Sequence, residues 1–226
     1  LTGTGNFSLS NASNTIRTLA TGAGSTIGSL NMKNSVSLAV GLVNATNNVT
    51  IANTADLTLM SGQGITTASG NIVLAGSKFI NAAGVNALTV SNGHNWLVWS
   101  ANATPLATVA NGGDDTGNLV NNFVQYNATY GSSQVLGTGN GLLYTFAPVL
   151  TGSLVGTITK PYDGTTSASV GAANLLVTGL LNGDVLSLSQ NSNAVFTTPG
   201  TATSIIAVGT GKNVRSEERR VGKECL

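Results

Sequence analysis

Charge is what this sequence has least of. Only 8% of its 226 residues are Asp, Glu, Lys or Arg, against roughly 25% in an ordinary globular protein. Five basic residues (Arg17, Lys33, Lys78, Lys160, Lys212) and five aspartates (Asp56, Asp114, Asp115, Asp163, Asp184) precede residue 215, and no glutamate does. That neutral balance carries no electrostatic footprint for nucleic acid. There is one histidine, His94, and one cysteine, Cys225. A hydrolase needs paired carboxylates, or a nucleophile with its base. The adjacent pair Asp114-Asp115 sits in a glycine loop, and His94 has no Cys, Glu or second His near it in sequence. Gly22-x-Gly24 lacks the Gly, Lys and Ser/Thr of a phosphate-cradling loop. No apolar run approaches the ~20 residues of a membrane-spanning helix. No catalytic residue, metal ligand or cofactor is implied.

The last twelve residues differ from the rest. They hold every glutamate, the cysteine and all arginines except Arg17. Arg215-Ser216-Glu217-Glu218-Arg219-Arg220-Val221-Gly222-Lys223-Glu224-Cys225 resembles a translated sequencing adapter. Residues 215–226 are therefore read as a non-native tail and set aside from fold reasoning; a natural charged helix is the alternative. The chain opens at Leu1-Thr2-Gly3-Thr4-Gly5, in mid-pattern, and reads as a fragment truncated at both ends.

What the sequence does have is 29 Gly, 26 Asn and 41% hydrophobic residues. The apolar residues are patterned, which excludes simple disorder. Phe7-Ser8-Leu9 recurs as Leu30-Asn31-Met32, Val49-Thr50-Ile51 and Ile72-Val73-Leu74, at steps of 23, 19 and 23 residues. Alternation of this kind marks strands, and a period near 22 marks a solenoid. Second alternations follow at Val36–Val40 and Leu57–Leu59, more weakly at Ile16 with Leu19 and at Phe79-Ile80, and Leu88-Thr89-Val90 is placed to start a fifth unit. Two or three short strands per unit describe one coil of a parallel β-helix. Stacking explains the missing charge. Two like charges about 4.8 Å apart repel by about 3 kcal/mol before screening at an effective dielectric of about 20. Asn, Thr and Ser rows can instead hydrogen-bond along the stack. An antiparallel β-sandwich is the alternative for this segment.

Asn92–Ser100 departs from the repeat and holds both tryptophans. Trp96 and Trp99 read as an aromatic cap over the open end of the stack, where bare strand edges invite aggregation. Residues 101–147 form a turn-rich junction. Within it Gly112-Gly113-Asp114-Asp115 reads as a solvated loop; the nonapeptide repeat of calcium-loaded β-rolls is missing. Phe123, Tyr126 and Tyr130 give the junction something to bury, and Gly141–Pro148 reads as one more strand.

Ile158–Thr166 then reads as strand, tight turn, strand. Pro161 removes a donor, Asp163-Gly164 is a strong turn pair, and Tyr162 is suited to plugging a small β core. Lys160-Pro161-Tyr162-Asp163-Gly164-Thr165-Thr166 resembles the Lys-x-Tyr-Asp-Gly-Thr-Thr signature of the YDG repeat module of bacterial surface and secreted adhesins, at every fixed position. The resemblance implies that residues 148–214 are an incomplete YDG module, a small β-sandwich whose closing strands would follow Gly209–Val214. The first hundred residues resemble the β-helical shaft of filamentous-haemagglutinin-type exoproteins of the two-partner secretion route.

The combined expectation is an all-β chain: a parallel β-helix over 1–100, a junction over 101–147, and a truncated β-sandwich over 148–214. The resemblance implies a non-enzymatic adhesin fragment, secreted or on the bacterial surface and associated with the outer membrane. Its partners would be host-cell surfaces, glycans or other bacteria, with an outer-membrane transporter during export. A β-helical polysaccharide lyase is the first alternative, although Asp56, Lys33 and Lys78 stand at different offsets within the unit. A purely structural spacer is the second. Six Asn-x-Ser/Thr sequons start at Asn6, Asn11, Asn44, Asn48, Asn102 and Asn127; a chain this rich in Asn and Thr produces most of them by chance.

Overall fold

The computed structural model describes residues 1–181, 184, 194–197 and 213–215. It divides into two compact units, one ending at Ala147 and one beginning at Pro148. The first is a parallel β-solenoid of about four turns. Its first coil carries β1 (Asn6–Leu9) and β2 (Thr18–Leu19), and its second β3 (Ser29–Asn34), β4 (Leu38–Val40) and β5 (Val43–Ala45). The third coil carries β6 (Val49–Asn53), β7 (Leu57–Leu59) and β8 (Ile65–Thr67), and the fourth β9 (Ile72–Gly76), β10 (Phe79–Asn81) and β11 (Leu88–Val90). Then come β12 (Trp96–Ser100), β13 (Phe123–Tyr126) and β14 (Gly141–Tyr144).

Every pairing among these strands is parallel, coil upon coil. Phe7, Leu30, Val49, Ile72 and Trp96 stand in one register column. Leu9, Met32, Ile51, Leu74 and Val98 stand in the next inward one. From the second coil to the fourth, both columns are shut off from solvent. Each such side chain contributes about 1.5–3 kcal/mol relative to its exposed state, so the interior columns hold the stack together. The second face repeats the device with Leu38, Leu57 and Phe79, and the third with Val43, Ile65 and Leu88.

Polar residues enter this interior as a row. Asn34 and Asn53 are both buried and in register, and Asn34 Nδ2 donates to Asn53 Oδ1 at 3.1 Å. The Asn34 amide also donates to the carbonyls of Ile16 and Val36 and accepts from Ile16 N–H. Asn53 Nδ2 donates to the carbonyls of Ala55 and Asp56. Each amide thus satisfies backbone groups that a corner would otherwise leave bare.

Three readings of the solenoid sequence need correction. Leu88–Val90 starts no fifth unit; it is β11, the third face of the fourth coil, paired with β8. The stack does not stop at Trp96 and Trp99, because β14 pairs with the far edge of β12 and β13 pairs with β14. The cap residues therefore lie in an inner rung of a seven-stranded sheet, not over an open end. The Gly-Gly-Asp-Asp loop is docked: Asn81 N–H donates to Asp115 O at 2.8 Å, and Asp115 N–H donates to Phe79 O at 2.9 Å. Asp115 so extends the second face above Ile80.

The junction supplies the last two rungs because its aromatics fit the stack. Phe123 in β13 lies opposite Gly141 in β14. A Cβ on Gly141 would stand 2.2 Å from the Phe123 ring, and so would one on Gly137. Two glycines therefore make the slot for that ring. Tyr126 stacks on Tyr144 with centroids 6.0 Å apart, and meets Phe146 edge-on.

The second unit is a small β-sheet module. Strands β15 (Thr151–Leu154) and β16 (Leu175–Thr178) form one antiparallel pair, and β17 (Val195–Thr197) and β18 (Asn213–Arg215) form another. The strand expected over Leu154–Ile158 ends at Leu154, where the chain turns through Gly156 at φ +74°. The strands expected over Val185–Leu188 and Ser204–Val208, the Gly209–Lys212 signature and residues 216–226 lie outside the described residues. Among the described residues, no helix is long and apolar enough to cross a membrane.

Candidate functional site

The signature stretch is held by its own side chains. Lys160 Nζ donates to Asp163 Oδ1 at 2.7 Å, to Thr165 Oγ1 at 2.6 Å and to Ser167 Oγ at 3.3 Å. Asp163 Oδ1 also accepts from the Thr165 N–H at 2.9 Å and the Thr165 hydroxyl at 2.8 Å. Gly164 sits between them at φ +73°, a conformation that glycine adopts without steric cost. The expected strand–turn–strand is absent; residues 158–166 are irregular, and only Thr166 begins backbone pairing, accepting from Phe196 N–H. The hydrogen bonds that a hairpin would draw from the backbone come here from Lys160, Asp163 and Thr165. Tyr162 plugs no core, since it is 66% exposed.

These contacts leave a titratable trace. The Lys160 ammonium first, and then the Thr165 N–H and hydroxyl, lower the Asp163 carboxyl to about 2. The folded value lies below the ordinary ~3.9 of an unfolded aspartate. The contribution is therefore present above that ordinary value and lost as pH falls through about 2. We expect an NMR titration of the Asp163 carboxyl carbon to show this low midpoint, and Lys160→Gln to move it back toward ~3.9. An ordinary midpoint in the unaltered protein would mean that the Lys160 clamp does not form in solution.

The tryptophans part company. Trp96 points inward above Ile72, while Trp99 lies on the opposite face of β12. There it packs with Ala75, Leu143 and Ala128 in a second apolar cluster outside the solenoid. Tyr130 meets Trp99 edge-to-face, with centroids 5.8 Å apart and planes at 72°. The segment after β13 thus folds back over the outside of the sheet. The sequence offers one signal for this: outward positions change from Asn31 and Lys33 in β3, through Val73 and Ala75 in β9, to Leu97 and Trp99 in β12.

Beside this cluster runs a groove of about 470 Å³. Ala52 and Ala75 form its floor, Trp99 and Tyr130 line one part of it, and Lys33 is the charged side chain among its lining residues. Lys33, Ala52, Ala75 and Trp99 belong to successive strands in one outward register row. Asp114 is tied in nearby: its Oδ1 accepts from Asn102 Nδ2 at 2.8 Å and from Phe79 N–H at 3.3 Å. Burial pushes its carboxyl above the usual range, against the pull of Ser100, Asn102, Phe79 and Lys78. Burial likewise raises the Tyr144 hydroxyl, with Asp114 adding to the effect. Among the described residues, no three His, Cys, Asp or Glu side chains converge on a metal position. His94 precedes β12 in a turn, its N–H donating to Ser91 O.

A protein-family model, the YDG domain, matches residues 145–219. The match contains the Lys160–Thr166 signature and begins at the end of the solenoid. The YDG domain is a non-catalytic module. No curated protein matches the chain, and no solved structure does.

Proposed function

We propose that this chain is a piece of a large bacterial adhesin of the filamentous-haemagglutinin type, secreted or held at the cell surface after export through a dedicated outer-membrane transporter. In this reading the solenoid gives reach and the YDG module extends or spaces it. Host-cell surfaces, glycans or neighbouring bacteria are the partners. The reading is supported most by the column Phe7–Leu30–Val49–Ile72–Trp96. A stack whose coils pair edge to edge lengthens by about 4.8 Å per added coil without changing its cross-section. Its surface carries few charges, so nothing in the row-on-row arrangement opposes such growth. A match to a family of non-catalytic modules over residues 145–219 fits the same role.

The reading is tested with beads carrying the folded chain, presented to epithelial cells and to bacterial cells. Retention several-fold above beads carrying the heat-unfolded chain is expected. Equal retention on every surface would overturn it. Conversion of a uronate polymer to unsaturated products by the chain would move the assignment to a lyase.

A further inference from the structure

We propose that the outer groove of the solenoid binds a short acidic oligosaccharide, with a carboxylate at Lys33 and a sugar face against Tyr130; this rests on the adhesin reading and gives that reading a site. The row Lys33, Ala52, Ala75, Trp99 crosses four consecutive parallel strands. At about 4.8 Å per step, its ends lie about 14 Å apart, a span for roughly three linked pyranose rings. The two alanines present only methyl groups and leave a trough between the ends. Tyr130 is 40% exposed while its partner Trp99 is buried beneath it, so the outer ring is held in place yet open to solvent. An aromatic ring fixed in this way offers contact area at little entropic cost.

The remaining chemistry selects the occupant. Thr54, Ser77 and Thr129 line the groove with hydroxyls, of which Ser77 gives its proton to Asp56 and offers only acceptor lone pairs to a ligand. Lys33 is exposed and has no ion-pair partner among the described residues, and no carboxylate lines the groove. Asp56, which accepts from the Ser77 hydroxyl at 2.7 Å, is not among the lining residues. A groove with one open cation, hydroxyl edges and an apolar floor complements a carboxylate, hydroxyl edges and the C–H face of a pyranose. An extended peptide would need a free strand edge, whereas the strands under this floor are paired on both sides.

The test uses the full chain and trigalacturonate, with the fully methyl-esterified trisaccharide as the uncharged control of the same shape. Titration calorimetry is expected to show binding of the acid at millimolar concentration or below, and weaker binding of the ester. Tyr130→Ala should weaken binding by about tenfold or more, the mark of an anchoring aromatic. Lys33→Gln should weaken it by up to about fivefold, more so at low salt. Both positions are exposed, and far-UV circular dichroism checks that the solenoid persists. Equal affinity for acid and ester, no effect of either variant, or no binding at millimolar trigalacturonate would each overturn the proposal. Beads that still hold cells while trigalacturonate fails to bind would sink this site and leave the adhesin reading standing. Trigalacturonate binding without cell retention would do the reverse.

Discussion

Asn34→Asp should be among the most damaging single changes in the solenoid at neutral pH. Asn34 is 1% exposed, and its Nδ2 donates to the carbonyls of Ile16 and Val36 and to Asn53 Oδ1. An aspartate has the same shape but no N–H, so it would face three acceptor oxygens with a fourth. Each buried group left without a partner costs about 1–3 kcal/mol, and an unpaired buried charge costs more. A loss of about 3–5 kcal/mol is expected, enough to unfold a marginal stack. The introduced carboxyl would titrate above its unfolded value, because burial and the facing oxygens both disfavour its charge. Native protein then holds the proton more tightly than unfolded protein. The penalty is therefore smallest below the unfolded value of about 3.9 and grows as pH rises through the folded one. Urea denaturation of both proteins between pH 4 and 8 measures this. A pH-independent difference below about 1 kcal/mol would show that the Asn34–Asn53 row carries little of the stack's stability.

That row also marks how far the sequence could be read. The inward columns were legible because Phe7-Ser8-Leu9 and its repeats alternate over enough residues to fix a period and a face. Asn-for-charge replacement was legible because stacking makes like charges costly. The third face was not. Val43-Asn44-Ala45 and Ile65-Thr66-Thr67 are three-residue strands with one or two apolar side chains each, too short for any periodicity to show. The last two rungs were hidden for another reason. Strand β14 inserts between β12 and β13, so the order in space departs from the order in sequence. No local pattern encodes that.

The candidate site divided in the same way. The contacts among Lys160, Asp163 and Thr165 follow from close spacing, and the signature marked them. Tyr162 misled because an aromatic ring beside a turn usually finds cover, whereas here the polar clamp fixes the loop without it. Trp99 stands out in the sequence, but its task is not the cap that its position suggests. Its true neighbours, Ala75, Ala128 and Leu143, are distant in sequence and meet only once the register is known. The groove was invisible for the same reason. Ala52 and Ala75 carry no signal until they are seen one above the other.

Ile51→Ala tests whether the interior columns carry the fold. Ile51 is fully buried between Met32 of the coil before and Leu74 of the coil after. Removing three carbons there should cost about 2–5 kcal/mol, because the surrounding side chains relax only partly into the cavity. Thr50→Ala in the same strand, on the outward face, should stay within about 0.5 kcal/mol. The consequence extends beyond the global number. Coils in a stack touch only their neighbours, so a weakened third coil loosens the coupling between the two sides. The shorter side, β1 and β3 with their loops, keeps less buried surface than the side bearing β9, β12 and β14. Hydrogen exchange should therefore rise more at Leu30 and Met32 than at Leu74 and Val98. Uniform acceleration would mean that the solenoid unfolds as one unit. Equal stability losses for Ile51→Ala and Thr50→Ala would refute the inward column itself.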